Sequence, residues 1–305
     1  MIIIKINDYH WKYNNCLEDS YGTILKHINL NNDIINIGSW YFEYNIDIGN
    51  KISDKLTVSK HSYDYYFEEL GIITRKVCID NICDAIDVID LNLKKNNPVI
   101  IDLRSDYCHW LSSEDDFIFQ HFCIIVDRSE KYLYCLDSST SCDVYPLTYT
   151  NYLKGTTHII EVNKSVFLRE CSYMTLKKYL KSEISLNYKK MLNSANAFLK
   201  DISQRENLIF SDYRELCLKI KYISHSRYKL CALLKKYFTK RYMKDKYFKS
   251  AIENLDKCGD YWMAIRTLII QENIVIKNNY INKNKALKLL ENIIYLERIS
   301  LESII

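Results

Sequence analysis

The stretch His121-Phe122-Cys123-Ile124-Ile125-Val126-Asp127-Arg128-Ser129-Glu130-Lys131-Tyr132-Leu133-Tyr134-Cys135-Leu136-Asp137 decides how the rest of the chain is read. Two runs rich in β-branched and aromatic residues flank the polar segment Asp127 to Lys131, which is the pattern of a β-hairpin. Centred on Ser129, such a hairpin sets His121 directly opposite Asp137 on one sheet face, with Cβ atoms roughly 5 Å apart. A carboxylate at that distance holds an imidazole by a hydrogen bond and fixes its tautomer. Phe122, Ile124 and Val126 then point to the other face, into a core. A slip of one residue would send the two polar ends to opposite faces, so the pairing depends on register.

An imidazole held in this way serves a nucleophile, and Cys16 is the candidate. Leu17, Tyr21, Ile24, Leu25 and Ile28 recur at helical spacing, so a helix is expected over Cys16–Asn29. Asn15 is its N-cap and Glu18, three residues on, is the capping-box partner. Cys16 then occupies the first helical position, beside free backbone N–H groups at the positive end of the helix dipole. Such surroundings favour the thiolate, and the same N–H groups can donate to an oxyanion at an attacked carbonyl. Glu18 and Asp19 oppose this unless their charges point elsewhere. In the reaction this trio suggests, His121 accepts the thiol proton and Asp137 orients it.

Further elements follow from pattern. Gly38–Asn45, Pro98–Leu103, His121–Asp127, Tyr132–Leu136 and His158–Val162 read as strands, and Asn81–Lys95 as a helix. Beyond them the chain turns helical: Met174–Ser203, Leu208–Lys244, Asp245–Asn279 and Lys283–Ile304 carry apolar residues at steps of three and four. Glu272 and Glu297 interrupt these apolar stripes and are expected to face solvent. The boundary falls near Asn163–Ser172, giving domains at 1–165 and 166–305.

Composition sets the class. The chain has 305 residues, 48% apolar and 26% charged, with only 6 Gly and 2 Pro, as in a soluble globular protein with little linker. Charge is uneven: Lys177 to Lys249 holds 19 basic and 6 acidic residues, against 42 and 38 in the whole chain. The second part is therefore basic and the remainder acidic, which suggests different partners for each. The opening Met1-Ile2-Ile3-Ile4-Lys5-Ile6 is too short for a secretory apolar region, and no run approaches a membrane span, so a cytoplasmic location is expected. Eleven cysteines form an odd set without a CxxC motif. Cys78 and Cys83 lack a matching His/Cys pair, so neither a disulfide framework nor a metal site is expected.

The order of Cys16 opening a helix, His121 opening a strand about a hundred residues later and Asp137 after the next strand is that of papain-like enzymes. More particularly, the chain resembles the butirosin biosynthesis protein H family of amide-forming acyltransferases. The resemblance rests on Cys16-Leu17, on Gly38-Ser39-Trp40-Tyr41-Phe42-Glu43-Tyr44, on Asn97-Pro98-Val99-Ile100-Ile101-Asp102, and on His121 and Asp137, and covers most of residues 10–162. It implies an α+β, papain-like cysteine-peptidase fold with a helical C-terminal extension. It also implies transfer of an acyl or peptidyl group from a carrier-protein thioester through acyl-Cys16 to an amine, as in antibiotic or nonribosomal peptide biosynthesis, with no cofactor. Tyr107, His109 and Trp110 correspond to a loop over the pocket and are candidate substrate contacts. The family's oxyanion glutamine falls at His10, and Asn14 and Asn15 are alternative donors. An acidic carrier would suit the basic helices, whereas nucleic acid is not expected, since no zinc-finger or RNP motif accompanies the charge. Two other readings stay open: a cysteine hydrolase (peptidase or thioesterase), and a non-catalytic module binding a carrier protein or peptide.

Overall fold

The structure is a computed structural model, and it describes residues 4–58, 63–79, 81–111, 119–140, 143–165, 172–274 and 280–305. In chain order the elements are α1 (Cys16–His27), β1 (Phe42–Tyr44), α2 (Ile52–Lys55), β2 (Leu56–Val58), α3 (Tyr63–Leu70), β3 (Ile72–Cys78), α4 (Ile82–Lys94) and β4 (Val99–Arg104). They continue with β5 (Gln120–Arg128), β6 (Tyr132–Leu136), β7 (Val144–Thr148), α5 (Tyr149–Gly155) and β8 (Thr156–Lys164). Five helices follow: α6 (Tyr173–Gln204), α7 (Tyr213–Tyr237), α8 (Thr239–Lys244), α9 (Lys246–Ile274) and α10 (Tyr280–Ile304). The chain is α+β and divides into two compact units, residues 1–35 with 64–171, and 36–63 with 172–305.

The first unit is built on a six-stranded sheet of order β3-β8-β4-β5-β6-β7, antiparallel at every pairing. Its core on one face joins Ala85 and Ile89 of α4 to Ile101, Cys123, Cys135 and Ile159 of the strands. Each such side chain, fully buried, stabilises the fold by about 1.5–3 kcal/mol for a Leu or Ile. Ile124, on the opposite face of β5, is buried too, so the sheet is covered on both sides. At Asp102 the β4–β8 register shifts, and the carboxylate fills the irregularity by accepting from the Thr157 and His158 backbone N–H groups, at 2.8 and 2.7 Å. Cys108, Cys123, Cys135, Cys217, Cys231 and Cys258 are buried free thiols, packing as small apolar residues. Cys142 and Cys171 lie outside the described residues.

The register of the β5–β6 hairpin corrects the one read from sequence. Ser129 N–H donates to Tyr132 O at 2.8 Å, so the turn is the tight pair Glu130-Lys131 and not a five-residue loop centred on Ser129. Arg128 then opposes Leu133 and Asp127 opposes Tyr134, whereas Ile125 opposes Cys135 and Ile124 opposes Leu136. One extra residue, Val126, is accommodated on β5 as a bulge, and its carbonyl accepts from Ile4 N–H at 3.1 Å. Without that bulge the tight turn would place His121 and Asp137 on opposite faces. With it, Asp137 continues opposite Cys123, on the His121 face but two residues along.

The second unit gathers the helices α6 to α10 and, unexpectedly, residues 36–63. The sequence places 36–63 with the first part and reads one strand over Gly38–Asn45; only Phe42–Tyr44 is strand, pairing with β2. The aromatics of this segment explain the reassignment, because they insert among the helices. Phe42 meets Trp262 edge-on at 5.6 Å, Tyr44 meets Phe198 at 5.1 Å, and the Trp40 carbonyl accepts from Arg227. Helix boundaries otherwise fall near those expected, except that Leu208–Lys244 splits into α7 and α8. Residues 166–171 at the domain boundary, and 275–279 at the end of the third expected helix, lie outside the described residues. Glu297 does not face solvent: it is fully buried and paired with Arg227 at 2.6 Å, while Glu272 is buried and accepts from Asn282 at 2.7 Å. No helix among the described residues is long and apolar enough to cross a membrane.

Candidate active site

The site lies within the first unit and is assembled from α1, β5 and the residues after β6. Asn15 caps α1 as its sequence position suggests: its side chain accepts from Glu18 N–H at 2.9 Å, and the Glu18 carboxylate accepts from Asn15 N–H at 2.8 Å. The helical ladder opens with Asp19 N–H to Asn15 O at 3.0 Å. The N–H groups of Cys16 and Leu17 are therefore engaged by neither cap nor ladder, and they flank a half-buried thiol at the first helical position.

The two acidic neighbours of Cys16 are turned to other work. Glu18 bends back on the cap, and Asp19, fully buried, accepts from Asn14 Nδ2 at 2.9 Å and Trp11 N–H at 3.2 Å and meets His10 Nδ1 at 2.8 Å. Burial raises the Asp19 pKa, opposed by the hydrogen bonds from Asn14, His10 and Trp11. The three oxyanion candidates are thereby sorted. Asn15 spends its side-chain oxygen on the cap and Asn14 spends an amide hydrogen on Asp19. His10 is anchored through Nδ1 to a carboxylate one helical turn from Cys16, which leaves Nε2 as its second polar atom.

His121 and Asp137 come together as proposed, although diagonally across the hairpin rather than face to face. His121 Nε2 lies 2.7 Å from Asp137 Oδ2, with side chains 4% and 0% exposed. That contact leaves Nδ1 as the second polar atom of the ring, and the Cys16 sulfur is near enough to the ring to raise its pKa. Burial works against a charged imidazole, but the hydrogen bond to Asp137 and the interaction with Cys16 outweigh it and lift the His121 pKa from 6.5 to about 10. Burial likewise works against the Asp137 carboxylate, and His121, Trp110 and Ser139 together overcome it, holding its pKa well below 3.8. Thr23 of α1 donates to Ser138 Oγ at 3.0 Å and ties the helix to the residue after Asp137. The ring thus stands between a buried carboxylate and the Cys16 sulfur, and both favour its charged form.

The remaining candidates sit around this pair. Trp110 Nε1 donates to Asp137 Oδ2 at 2.8 Å, so its polar edge is spent on the carboxylate. His109 is exposed and stands edge-on to Trp110, with centroids 5.0 Å apart. The Tyr107 ring lies against Gly155, where a Cβ would come within 2.8 Å of it, and the Arg104 guanidinium sits over the same ring at 5.3 Å. Sequence reasoning notes Asp19 only as an opposing charge and overlooks Ser139 and Tyr145. Asp19 carried a signal, since it lies three residues after Cys16 on the same helix face; Ser139 and Tyr145 carried none. No group of three or more His, Cys, Asp or Glu among the described residues could hold a metal ion. No protein-family model matches the chain, and a search of curated proteins gives no match.

Proposed function

We propose that the protein is a cysteine-dependent N-acyltransferase of papain-like fold. What supports this most is that a thiol at a helix start, an imidazole and a buried carboxylate come together from three separated segments: the imidazole is hydrogen-bonded to the carboxylate, and the sulfur is near enough to act on the imidazole. In the first half-reaction the Cys16 S–H proton passes to His121 as the sulfur attacks a thioester carbonyl, and the oxyanion is received by the N–H groups at the start of α1. Collapse breaks the thioester C–S bond, the departing thiolate takes the proton held on His121, and acyl-Cys16 remains. In the second half-reaction an amine attacks the acyl carbon while His121 Nδ1 accepts its proton, and the Cys16 thiolate leaves as the amide forms. Asp137 keeps Nε2 engaged throughout, so Nδ1 is always the nitrogen that exchanges the proton.

The donor in this reading is an acyl or peptidyl carrier protein, for which the basic helices offer a surface of complementary charge. A water in place of the amine would make the same machinery a hydrolase, and the product distinguishes the two. Incubation with an acyl N-acetylcysteamine thioester and an amine should give the amide in excess of the free acid. Free acid alone would replace the transferase by a hydrolase. A protein that binds the thioester without any covalent adduct would be a binding module.

A further inference from the structure

Trp110 comes just after the short turn Ser105–Tyr107 that ends β4, and its surroundings are more specific than those of a residue lining a pocket. Its indole N–H and His121 Nε2 converge on one oxygen, Asp137 Oδ2, at 2.8 and 2.7 Å. The other oxygen, Oδ1, accepts the Ser139 N–H at 3.1 Å and the Ser139 hydroxyl at 2.8 Å. The indole is itself braced: Tyr145 of β7 stacks on it with centroids 4.9 Å apart and planes 6° from parallel, and His109 packs edge-on against both rings.

We propose that Trp110, braced by Tyr145, is a positioning residue that fixes the plane of the Asp137 carboxylate and seals its bond to His121 from water. The inference rests on His121 being the acid–base group of the proposed reaction. With two donors on Oδ2 and two on Oδ1, the carboxylate cannot turn without breaking bonds at both oxygens. An indole suits this place because it is a donor only and carries no charge, so it stabilises the carboxylate without accepting its proton. Its flat face also keeps water from a bond that is stronger in a low-dielectric setting than in solvent. Loss of the indole lets the carboxylate rotate and hydrate, and His121 loses both its orientation and its preference for the charged form.

The test uses the full-length protein with ring-labelled histidine, read by nuclear magnetic resonance alongside steady-state kinetics with an acyl N-acetylcysteamine thioester. Trp110→Phe keeps a ring against Tyr145 and removes only the donor. It should speed exchange of the His121 Nε2–H proton with water about tenfold and lower kcat several-fold with KM little changed, a fraction of the roughly 10²–10⁴ that a positioned acid–base group supplies. Trp110→Ala also removes the cover, and should in addition bring the His121 titration midpoint down toward 6.5. If the alanine variant fails to fold, Tyr145→Leu, which removes the brace at a distance, should reproduce the faster proton exchange. Wild-type exchange and wild-type kcat in Trp110→Phe would overturn the proposal. An absence of acyl-Cys16 in the wild-type protein would instead sink the proposed function and leave the proton-exchange result standing.

Discussion

At the scale of single residues, the chemistry turns on which charges are paired and which are spent. His121 and Asp137 are both nearly or fully excluded from water, yet each is held in its charged form by the other and by Cys16, Trp110 and Ser139. The pH dependence of stability follows. The His121 pKa is raised above 6.5 to about 10, so its contribution is complete below about 6.5 and is lost as pH climbs through 10. The Asp137 pKa is depressed below 3.8, so its contribution is complete above that value and is lost on further acidification. Urea melts across pH 3 to 11 should therefore show this pair at full strength between about pH 4 and 6.5, with a decline on the alkaline side that vanishes in Asp137→Asn. A flat alkaline limb in the wild-type protein would mean that His121 is not held charged. Cys16, His121 and Asp137 were all legible in the sequence, because each stands at an element boundary where a polar residue adjoins an apolar run. Asp19 was legible only as a charge on the Cys16 face of the helix, and Ser139 was not legible, because its role depends on contacts that spacing does not encode.

Elements decide whether those residues can meet. Secondary structure around the site was readable from periodicity, with β6 and the start of α1 found where expected. The register was not readable. A tight turn at Glu130-Lys131 and a bulge at Val126 each move the pairing, and together they restore the face that a simpler hairpin would have given. Neither Gly nor Pro marks the turn or the bulge, so the usual sequence punctuation was missing. Deletion of Val126 should leave a paired hairpin with His121 and Asp137 on opposite faces. Acyl transfer should then be lost while far-ultraviolet circular dichroism stays close to that of the parent; retained activity would show that the bulge does not set the site. The cap of α1 is a second element-scale device. Asn15→Ala removes one half of the capping box and should cost about 1 kcal/mol, measurable by urea denaturation. It should also slow alkylation of Cys16 by iodoacetamide, since the helix start that serves the thiol would fray. The strands β2, β3 and β7 escaped the sequence reading because they are short or lie at an edge, where polar residues blur alternation.

For the whole molecule, the division into two units was legible as a change of charge and periodicity, but the membership of residues 36–63 was not. Trp40, Phe42 and Tyr44 look like any strand of the first part, and only their packing among the helices assigns them to the second unit. That unit also buries an ion pair, Arg227 with Glu297, whose arginine additionally donates to the Trp40 carbonyl. Arg227→Met leaves Glu297 buried without its cation and should destabilise the protein by about 3–5 kcal/mol, whereas Arg227→Met combined with Glu297→Leu should recover much of the loss. An equal loss in the double variant would mean that the pair contributes stability beyond its own compensation. The claim on which the account stands is that the Cys16 thiol is a nucleophile served by His121 and Asp137. Intact-mass spectrometry after brief incubation with an acyl N-acetylcysteamine thioester tests it most directly. One acyl group should appear on the wild-type protein, map to Cys16, and be absent from a folded Cys16→Ser variant. A wild-type protein that stays unmodified, or an acyl group that persists in Cys16→Ser, would contradict it.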